Sequence, residues 1–357
     1  MFPADRKILF DGKDIVVIDL SGGQAEGLVT FQSWQLAPFG TCDPGRVQGF
    51  GEQAFAGEGL DALHVVARGN HWYQSPEMAV AMDLARDFIA TRRAITYGSS
   101  MGGYGAIAFG GMLDIPALAF VPQCSLDPAV APFEKRWRAE YDRIAHFDNS
   151  LISGPRDRFR GFMFYDPFEP LDKMQVDLLR AATDLVAVPS TFSGHAVPKD
   201  IQKSYGLKTL VKEVLNGTFA PAHYIAARRR QRMNQENYLA RLSIALHRTG
   251  RVACAATVAE PLFRDKAVTI RPMVHLFSSA MRNRDRSLAL RCLVKARALC
   301  DGTFGDLNQL GGMQMQFGED QEALATFDAA LALVPGNPTV TSRRQLLLQR
   351  MADKAQS

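Results

Sequence analysis

The sequence contains few of the features that commonly identify a class of protein. It has no run of 18 or more apolar residues, although 47% of its 357 residues are hydrophobic, so no membrane-spanning helix is expected. Its 5 cysteines form no Cys-x-x-Cys pair or zinc-type cluster, which predicts reduced, buried thiols and no metal site. The glycines fit neither the phosphate-binding loop pattern nor the Gly-x-Gly-x-x-Gly dinucleotide pattern, so no cofactor is expected.

The charge is unevenly distributed along the chain. Residues 221–300 hold 16 Lys or Arg against 4 Asp or Glu, whereas residues 301–357 hold 4 against 7. This step predicts a domain boundary near residue 220. The basic segment suits an acidic or anionic partner, or is a solvated face; it carries no recognised nucleic-acid motif, so nucleic acid is not expected to bind. The N-terminal residues do not form a signal peptide, which predicts a cytoplasmic protein.

Short apolar segments alternate with amphipathic helical segments in the first 217 residues. The predicted strands cover residues 14–19, 28–34, 62–67, 94–97, 116–121, 161–165 and 185–188. This alternation favours an α/β domain over residues 1–217, with a doubly wound, mostly parallel sheet covered by helices on both faces. In such sheets the reactive side chains lie on loops at the carboxyl ends of the strands.

One turn between a strand and a helix carries a candidate nucleophile. Residues 98–102 fit the pattern Gly-x-Ser-x-Gly with Ser100 at the centre, and the glycines permit a sharp turn that exposes the hydroxyl. A serine hydroxyl becomes nucleophilic when a base takes its proton, so a histidine and an acid are expected at later strand ends. Asp166 directly follows segment 161–165, and His195 follows the last strand.

The order Ser100, Asp166, His195 resembles the α/β-hydrolase superfamily over about residues 10–217, as do the motifs Tyr165-Asp166-Pro167 and Gly194-His195. The resemblance implies a catalytic triad in which His195 is the general base and Asp166 orients its imidazole. Two alternatives stay open. Asp127, just past the preceding strand, is the other candidate acid, and Asp166 alternatively caps a turn.

The same resemblance implies an oxyanion hole made of two backbone donors. One expected donor is the N–H of Met101, at the start of the helix after the nucleophile. The other is expected in the loop after segment 62–67, at Asn70 with His71 beside it.

Candidate substrate-binding residues lie near that loop and in a later insert. Trp72 and Tyr73 are expected to face the substrate, or else to lie in the core. Residues 127–160 stand where the superfamily inserts a lid, and they include Arg136 and Trp137. A basic, aromatic lid suits a substrate with an anionic or sugar-like part, and a solvated arginine-rich face is the alternative.

The remainder of the chain, residues 221–357, contains a repeat. Segment 304–337 carries a Leu-Gly pair, spaced alanines around a phenylalanine and a closing proline, a pattern that resembles tetratricopeptide repeats. Weaker units in the same phase cover about 236–269 and 270–303, and a capping helix follows. The resemblance implies an all-α domain that binds a protein partner or mediates self-association.

The function expected from these features is that of a serine hydrolase without a cofactor. It would hydrolyse an ester of a small molecule or acylated polymer through an acyl-enzyme on Ser100. Two other functions remain open, because the sequence does not separate them. One is an acyltransferase with the same triad, and the other is a non-catalytic, hydrolase-like scaffold in an assembly complex.

Overall fold

The computed structural model describes residues 6–35, 38–55, 57–264 and 269–356. Residues 1–5 of the first predicted domain and 265–268 of the first predicted repeat lie outside these ranges. Within them the first half of the chain forms one eight-stranded sheet. Its strands are β1 (Lys7–Asp11), β2 (Ile15–Leu20), β3 (Glu26–Phe31), β4 (Asp61–Ala67), β5 (Arg93–Ser99), β6 (Ala117–Phe120), β7 (Gly161–Tyr165) and β8 (Val186–Pro189).

The strand order is β1-β2-β4-β3-β5-β6-β7-β8. β1 pairs antiparallel with β2 and β2 antiparallel with β4, while all later pairings are parallel. The sheet is therefore mixed and mostly parallel, as the alternating pattern predicted. The sequence pattern missed β1, because its apolar run, residues 8–10, is too short to indicate a strand and the strand is mostly exposed. The strands at 62–67 and 94–97 are consequently the fourth and fifth of the sheet.

Helices cover both faces of the sheet. In chain order they are α1 (Glu52–Phe55), α2 (Met78–Ile89), α3 (Met101–Leu113), α4 (Arg138–Tyr141), α5 (Ser150–Ser153), α6 (Pro170–Ala182), α7 (Val197–Ser204), α8 (Leu207–Leu215) and α9 (Pro221–Gln231). One buried cluster joins the sheet to α2, α3 and α6. A second joins the other face to α7, α8 and Tyr224 of α9. Strands β3, β6 and β7 therefore bury alternate side chains in these two cores.

The chain divides into two compact units, residues 1–231 and 232–357. The boundary expected from the charge step lay at 217–221, whereas the structure includes α9 in the first unit. The physical reason is burial: Tyr224 is fully buried in the second core, and Arg228 is also buried. The basic composition of α9 does not reveal these contacts, since most of its other arginines are exposed.

The second unit consists of helices that pack as successive hairpins. They are α10 (Glu236–Arg248), α11 (Val252–Arg264), α12 (Ile270–Arg282), α13 (Arg286–Leu299), α14 (Phe304–Phe317), α15 (Asp320–Leu333) and α16 (Pro338–Gln356). The first helices of the hairpins begin at Glu236, Ile270 and Phe304, in the phase of the predicted repeat. Small residues permit close packing: a Cβ on Gly311 would lie 2.6 Å from the ring of Phe327. Membership in the tetratricopeptide class stays a prediction.

All 5 cysteines are free, and they differ in exposure. Cys124 and Cys292 are buried as predicted, but Cys254 is exposed. The prediction was wrong for Cys254, which lies on a face of α11 where Ala253 and Ala256 are exposed as well, and Cys42 and Cys300 are only partly buried. Among the described helices, none is both long and apolar enough to cross a membrane.

Candidate active site

Ser100 occupies a strained turn between β5 and α3. The strand ends at Ser99 and the helix begins at Met101, so Ser100 is the single residue that joins them. Its backbone has φ 58° and ψ −118°, the conformation of the first central residue of a type II′ turn, which glycine favours. A non-glycine residue in such a conformation costs about 1–3 kcal/mol and usually has a functional reason.

The two glycines of the motif are required by close backbone contacts. A Cβ on Gly98 would lie 2.0 Å from the carbonyl oxygen of Gly102, and a Cβ on Gly102 would lie 2.2 Å from that of Phe31. Both distances are far below van der Waals contact. The turn around Ser100 can therefore form only with glycine at these positions, which explains the spacing in the sequence.

The imidazole of His195 pairs with Asp172. Its Nδ1 lies 2.7 Å from Oδ2 of Asp172, a fully buried carboxylate in the first turn of α6. Burial by itself would raise the pKa of Asp172, but the contacts to His195 and Arg136 outweigh burial and lower this pKa. The carboxylate is thus held in its ionised form beside a half-exposed imidazole, as a histidine that acts as a base requires.

The two acids predicted from the sequence lie elsewhere. Asp166 is fully buried and accepts hydrogen bonds from the backbone N–H groups of Phe168, Phe192 and Gly194, the last at 2.7 Å. It therefore anchors the loop that carries His195. Asp127 accepts hydrogen bonds from Asn149 and Tyr141 in the insert after β6.

Gln123, which the sequence reasoning missed, connects the serine to the acid. Its backbone N–H donates to the carbonyl oxygen of Ser100 at 3.3 Å, and its side-chain amide donates to Oδ1 of Asp172 at 3.1 Å. It lies just past the end of β6, the kind of strand-end position at which the sequence predicts the acid and the base. In the described residues Ser100 Oγ forms no hydrogen bond with His195; such contacts often tighten only when substrate binds.

The loop after β3, and not the loop after β4, adjoins Ser100. β3 pairs directly with β5, and Ser33 Oγ donates to the carbonyl oxygen of Ser99 at 2.9 Å. Asn70, expected as an oxyanion donor, instead exchanges two hydrogen bonds between its side-chain amide and the backbone of Gln35. His71 faces the carbonyl oxygen of Asp14 through Nε2 at 3.1 Å. Asn70 thus stabilises the loop that approaches the turn around Ser100.

The chain's 3 tryptophans form one cluster from three loops at this edge of the sheet. The ring centroid of Trp137 lies 5.1 Å from that of Trp34 and 5.7 Å from that of Trp72. Trp72 is fully buried and Tyr73 nearly so, which supports their alternative assignment to the core. Trp34 and Trp137 stay partly exposed and form an aromatic wall, with the Trp137 Nε1 donating to Gln123.

Arg136, expected to bind substrate, is engaged in ion pairs. Its guanidinium contacts Glu134 and Asp172 at 2.6 and 2.8 Å. Among the described residues, no three His, Cys, Asp or Glu side chains are arranged to hold a metal ion.

Neither a protein-family model nor a curated protein sequence matches the chain. Similar solved structures include the capsule O-acetyltransferase of Neisseria meningitidis serogroup A, with 17% identity, 54% of this chain and 90% of that chain covered, and a TM-score of 0.40. A lidless α/β serine hydrolase from Xanthomonas campestris has 14% identity and a TM-score of 0.31, and the match covers 64% of this chain and 96% of that chain. Brefeldin A esterase, a bacterial homologue of human hormone-sensitive lipase, has 14% identity and a TM-score of 0.36, and the match covers 63% of this chain and 76% of that chain. The assignment of the site rests on its geometry and not on these similarities.

Proposed function

We propose that the first unit is a serine hydrolase that forms an acyl-enzyme on Ser100, with ester hydrolysis as its simplest reaction. The observation that carries the proposal is the strained backbone of Ser100 at the junction of β5 and α3. A fold that only had to be stable would have no reason to keep a serine in a glycine-like conformation. The carboxylate–imidazole pair of Asp172 and His195 supplies the base that this serine needs.

In the proposed mechanism, Ser100 Oγ attacks the carbonyl carbon of the ester while His195 accepts the hydroxyl proton at Nε2. Asp172 accepts the Nδ1–H hydrogen bond, keeps the imidazole in the correct tautomer and stabilises the imidazolium. The imidazolium then protonates the leaving alkoxide, and the acyl-enzyme remains. Water, deprotonated by the same imidazole, attacks the acyl-enzyme. The imidazolium then returns this proton to Ser100 Oγ as the carboxylic acid leaves.

The negative charge that develops on the carbonyl oxygen requires preorganised donors. The N–H of Met101 is suitable because it begins α3, where the first backbone N–H groups have no partner within the helix. The loop after β3 lies against the turn around Ser100, which supports the backbone N–H of Gln32, the first residue past β3, as the second donor in place of Asn70. Each such donor contributes roughly 10²–10³ to the rate of acyl transfer.

Labelling with a fluorophosphonate probe tests the proposal directly, since the probe reacts with an activated serine. We expect wild-type protein to be labelled, Ser100→Ala to abolish labelling and His195→Ala to slow it strongly. Ser99→Ala is the matched control, because the neighbouring serine contributes its backbone carbonyl to the turn. Failure of folded wild-type protein to label or to hydrolyse p-nitrophenyl acetate would exclude the proposal.

Hydrolysis and acyl transfer share the acyl-enzyme and differ in the acceptor. The products formed from p-nitrophenyl acetate in the presence and absence of an added saccharide distinguish the two reactions, because acyl transfer to a saccharide hydroxyl yields an acetylated saccharide and hydrolysis yields acetate. The partner-binding role of the helical unit stays a prediction.

A further inference from the structure

The carboxylate of Asp172 is shared between His195 and a second cation. While Oδ2 faces His195, Oδ1 accepts a hydrogen bond from Nη1 of Arg136 at 2.8 Å and one from Nε2 of Gln123 at 3.1 Å. Asp172 is fully buried, whereas Arg136 and His195 are partly exposed, so water screens these contacts only in part. An arginine on the far oxygen of this carboxylate is a feature that the proposed acyl-transfer chemistry does not itself require.

Arg136 is fixed in place by its own partners. Glu134, which is buried, receives hydrogen bonds from Nε at 2.9 Å and from Nη2 at 2.6 Å. Nη2 also donates to Gln123 Oε1, and Gln175 donates to Glu134 at 3.3 Å. Burial tends to lower the pKa of Arg136, but Glu134 and Asp172 outweigh this and raise it, so the guanidinium is always charged. A bidentate arginine pair of this kind defines orientation as well as charge.

We propose that Arg136, held by Glu134, is a positioning residue that orients Asp172 toward His195 and offsets part of its negative charge. The proposal rests on the proposed function and goes beyond it by assigning a role to two residues outside the triad. The charges alternate from Glu134 through Arg136 and Asp172 to His195. The next charged residue on α6, Lys173, pairs with Asp177 on the exposed face of the helix and is not part of this series of alternating charges.

The alternation predicts that two substitutions shift the titration of His195 in opposite directions. Arg136→Met leaves the full charge of Asp172 facing the imidazole, which favours the protonated ring, so His195 titrates at a higher pH. Glu134→Gln leaves more of the Arg136 charge uncompensated, which disfavours the protonated ring, so His195 titrates at a lower pH. The effect of Arg136→Met should be the larger of the two, because Arg136 contacts Asp172 directly and Glu134 acts through Arg136.

The experiment is a proton NMR titration of the full chain with labelled histidine. The His195 signal is assigned by its loss in His195→Gln. Arg136→Lys should retain most of the wild-type midpoint because it keeps the charge. Arg138→Met is the matched control: this arginine is exposed and pairs with Asp142. The acid limb of log kcat/KM against pH should move with the NMR midpoints.

Opposite shifts in Arg136→Met and Glu134→Gln support the proposal. Unchanged titration midpoints, or midpoints that shift in the same direction, overturn it. A loss of thermal stability or of kcat is not enough to support the proposal, because a merely structural ion pair would lower these two quantities without shifting the midpoints in opposite directions. If Arg136→Met does not fold, an unshifted Glu134→Gln midpoint overturns the proposal alone. Failure of wild-type protein to react with the fluorophosphonate probe refutes the serine-hydrolase function instead, so the two failures are distinguishable.

Discussion

Arg228 on α9 forms a buried ion pair with Asp200 on α7, with 2.6 Å between Nε and Oδ2. Its Nη2 also donates to the carbonyl oxygen of Thr191, four residues before His195. Ser190 donates to the same Asp200 carboxylate and contacts the hydroxyl of Tyr224 at 2.8 Å. A helix that the sequence assigned to the second domain therefore fastens the loop that leads to the candidate base.

This arrangement predicts where the chain can be shortened. A fragment of residues 1–231 should fold and label with fluorophosphonate, whereas a fragment of residues 1–220 should not. The shorter fragment leaves Asp200 buried without Arg228, a loss that typically costs about 3–5 kcal/mol, and it also exposes the site of Tyr224. Thermal unfolding and labelling of both fragments provide the check; equal melting temperatures would contradict the role given to α9.

Substitution of the two candidate acids distinguishes their roles. Asp172→Asn should lower kcat by roughly 10³–10⁴-fold with little change in fold, because the imidazole loses its orienting carboxylate. Asp166→Asn should act mainly on stability, lowering it by about 1–3 kcal/mol, because an amide nitrogen would face the N–H of Gly194.

Steady-state kinetics and urea unfolding of the acid variants give the answer, with Asp127→Asn as the control. The assignment of Asp172 fails if Asp166→Asn matches its loss of kcat at unchanged stability.

Glycine 102 should not tolerate a methyl group. Gly102→Ala would force its Cβ against the backbone oxygen of Phe31, so we expect a loss of about 3 kcal/mol and of labelling. Gly69→Ala is the matched control in the same unit, since its Cβ would make only an ordinary contact, 3.5 Å from the ring of His71. Chemical unfolding measures both variants, and a Gly102→Ala protein as stable as Gly69→Ala would contradict the close approach.

A buried histidine should make the first unit sensitive to mild acid. Burial, with a smaller contribution from Arg6, lowers the pKa of His64 to about 3 from the usual 6.5. Stability is therefore complete above about pH 6.5 and falls as the pH drops below that value, because the unfolded chain takes up a proton that the folded chain rejects. The loss from pH 7 to pH 5 is about 2 kcal/mol.

Replacement by a neutral side chain should remove this pH dependence. In His64→Asn the unfolding free energy should fall less between pH 7 and pH 5 than in wild type, as measured by urea unfolding. His223→Asn, on an exposed part of α9, is the control. An identical fall in wild type and His64→Asn would show that His64 does not carry the effect.

Much of the α/β arrangement was predictable because buried strands and the serine turn leave local signals. β7 was predicted at its observed bounds, and the turn around Ser100 was identified from its glycines. The order of strands within the sheet has no local signal. Because the exposed strand β1 leaves almost no signal, the sequence ranks β4 as the third strand and predicts the oxyanion donor at Asn70 in the loop after it. The loop after β3, with Gln32, is the one now proposed.

The acid could not be identified from position along the chain. Asp166 and Asp172 lie six residues apart, and both follow β7. Which of them faces His195 depends on the path of the intervening residues, where α6 begins at Pro170. The repeat was easier, because its phase depends on a periodic pattern and not on a single contact.

The glycine-like backbone of Ser100 sets stability and reactivity against each other at one position. Ser100→Gly should melt at a higher temperature than Ser100→Ala, because glycine relaxes the turn while alanine keeps its strain. A lineage that no longer used the hydroxyl would thus gain by losing it. Under the proposed function, serine at residue 100 is a trace of selection for reactivity, recorded in a backbone angle.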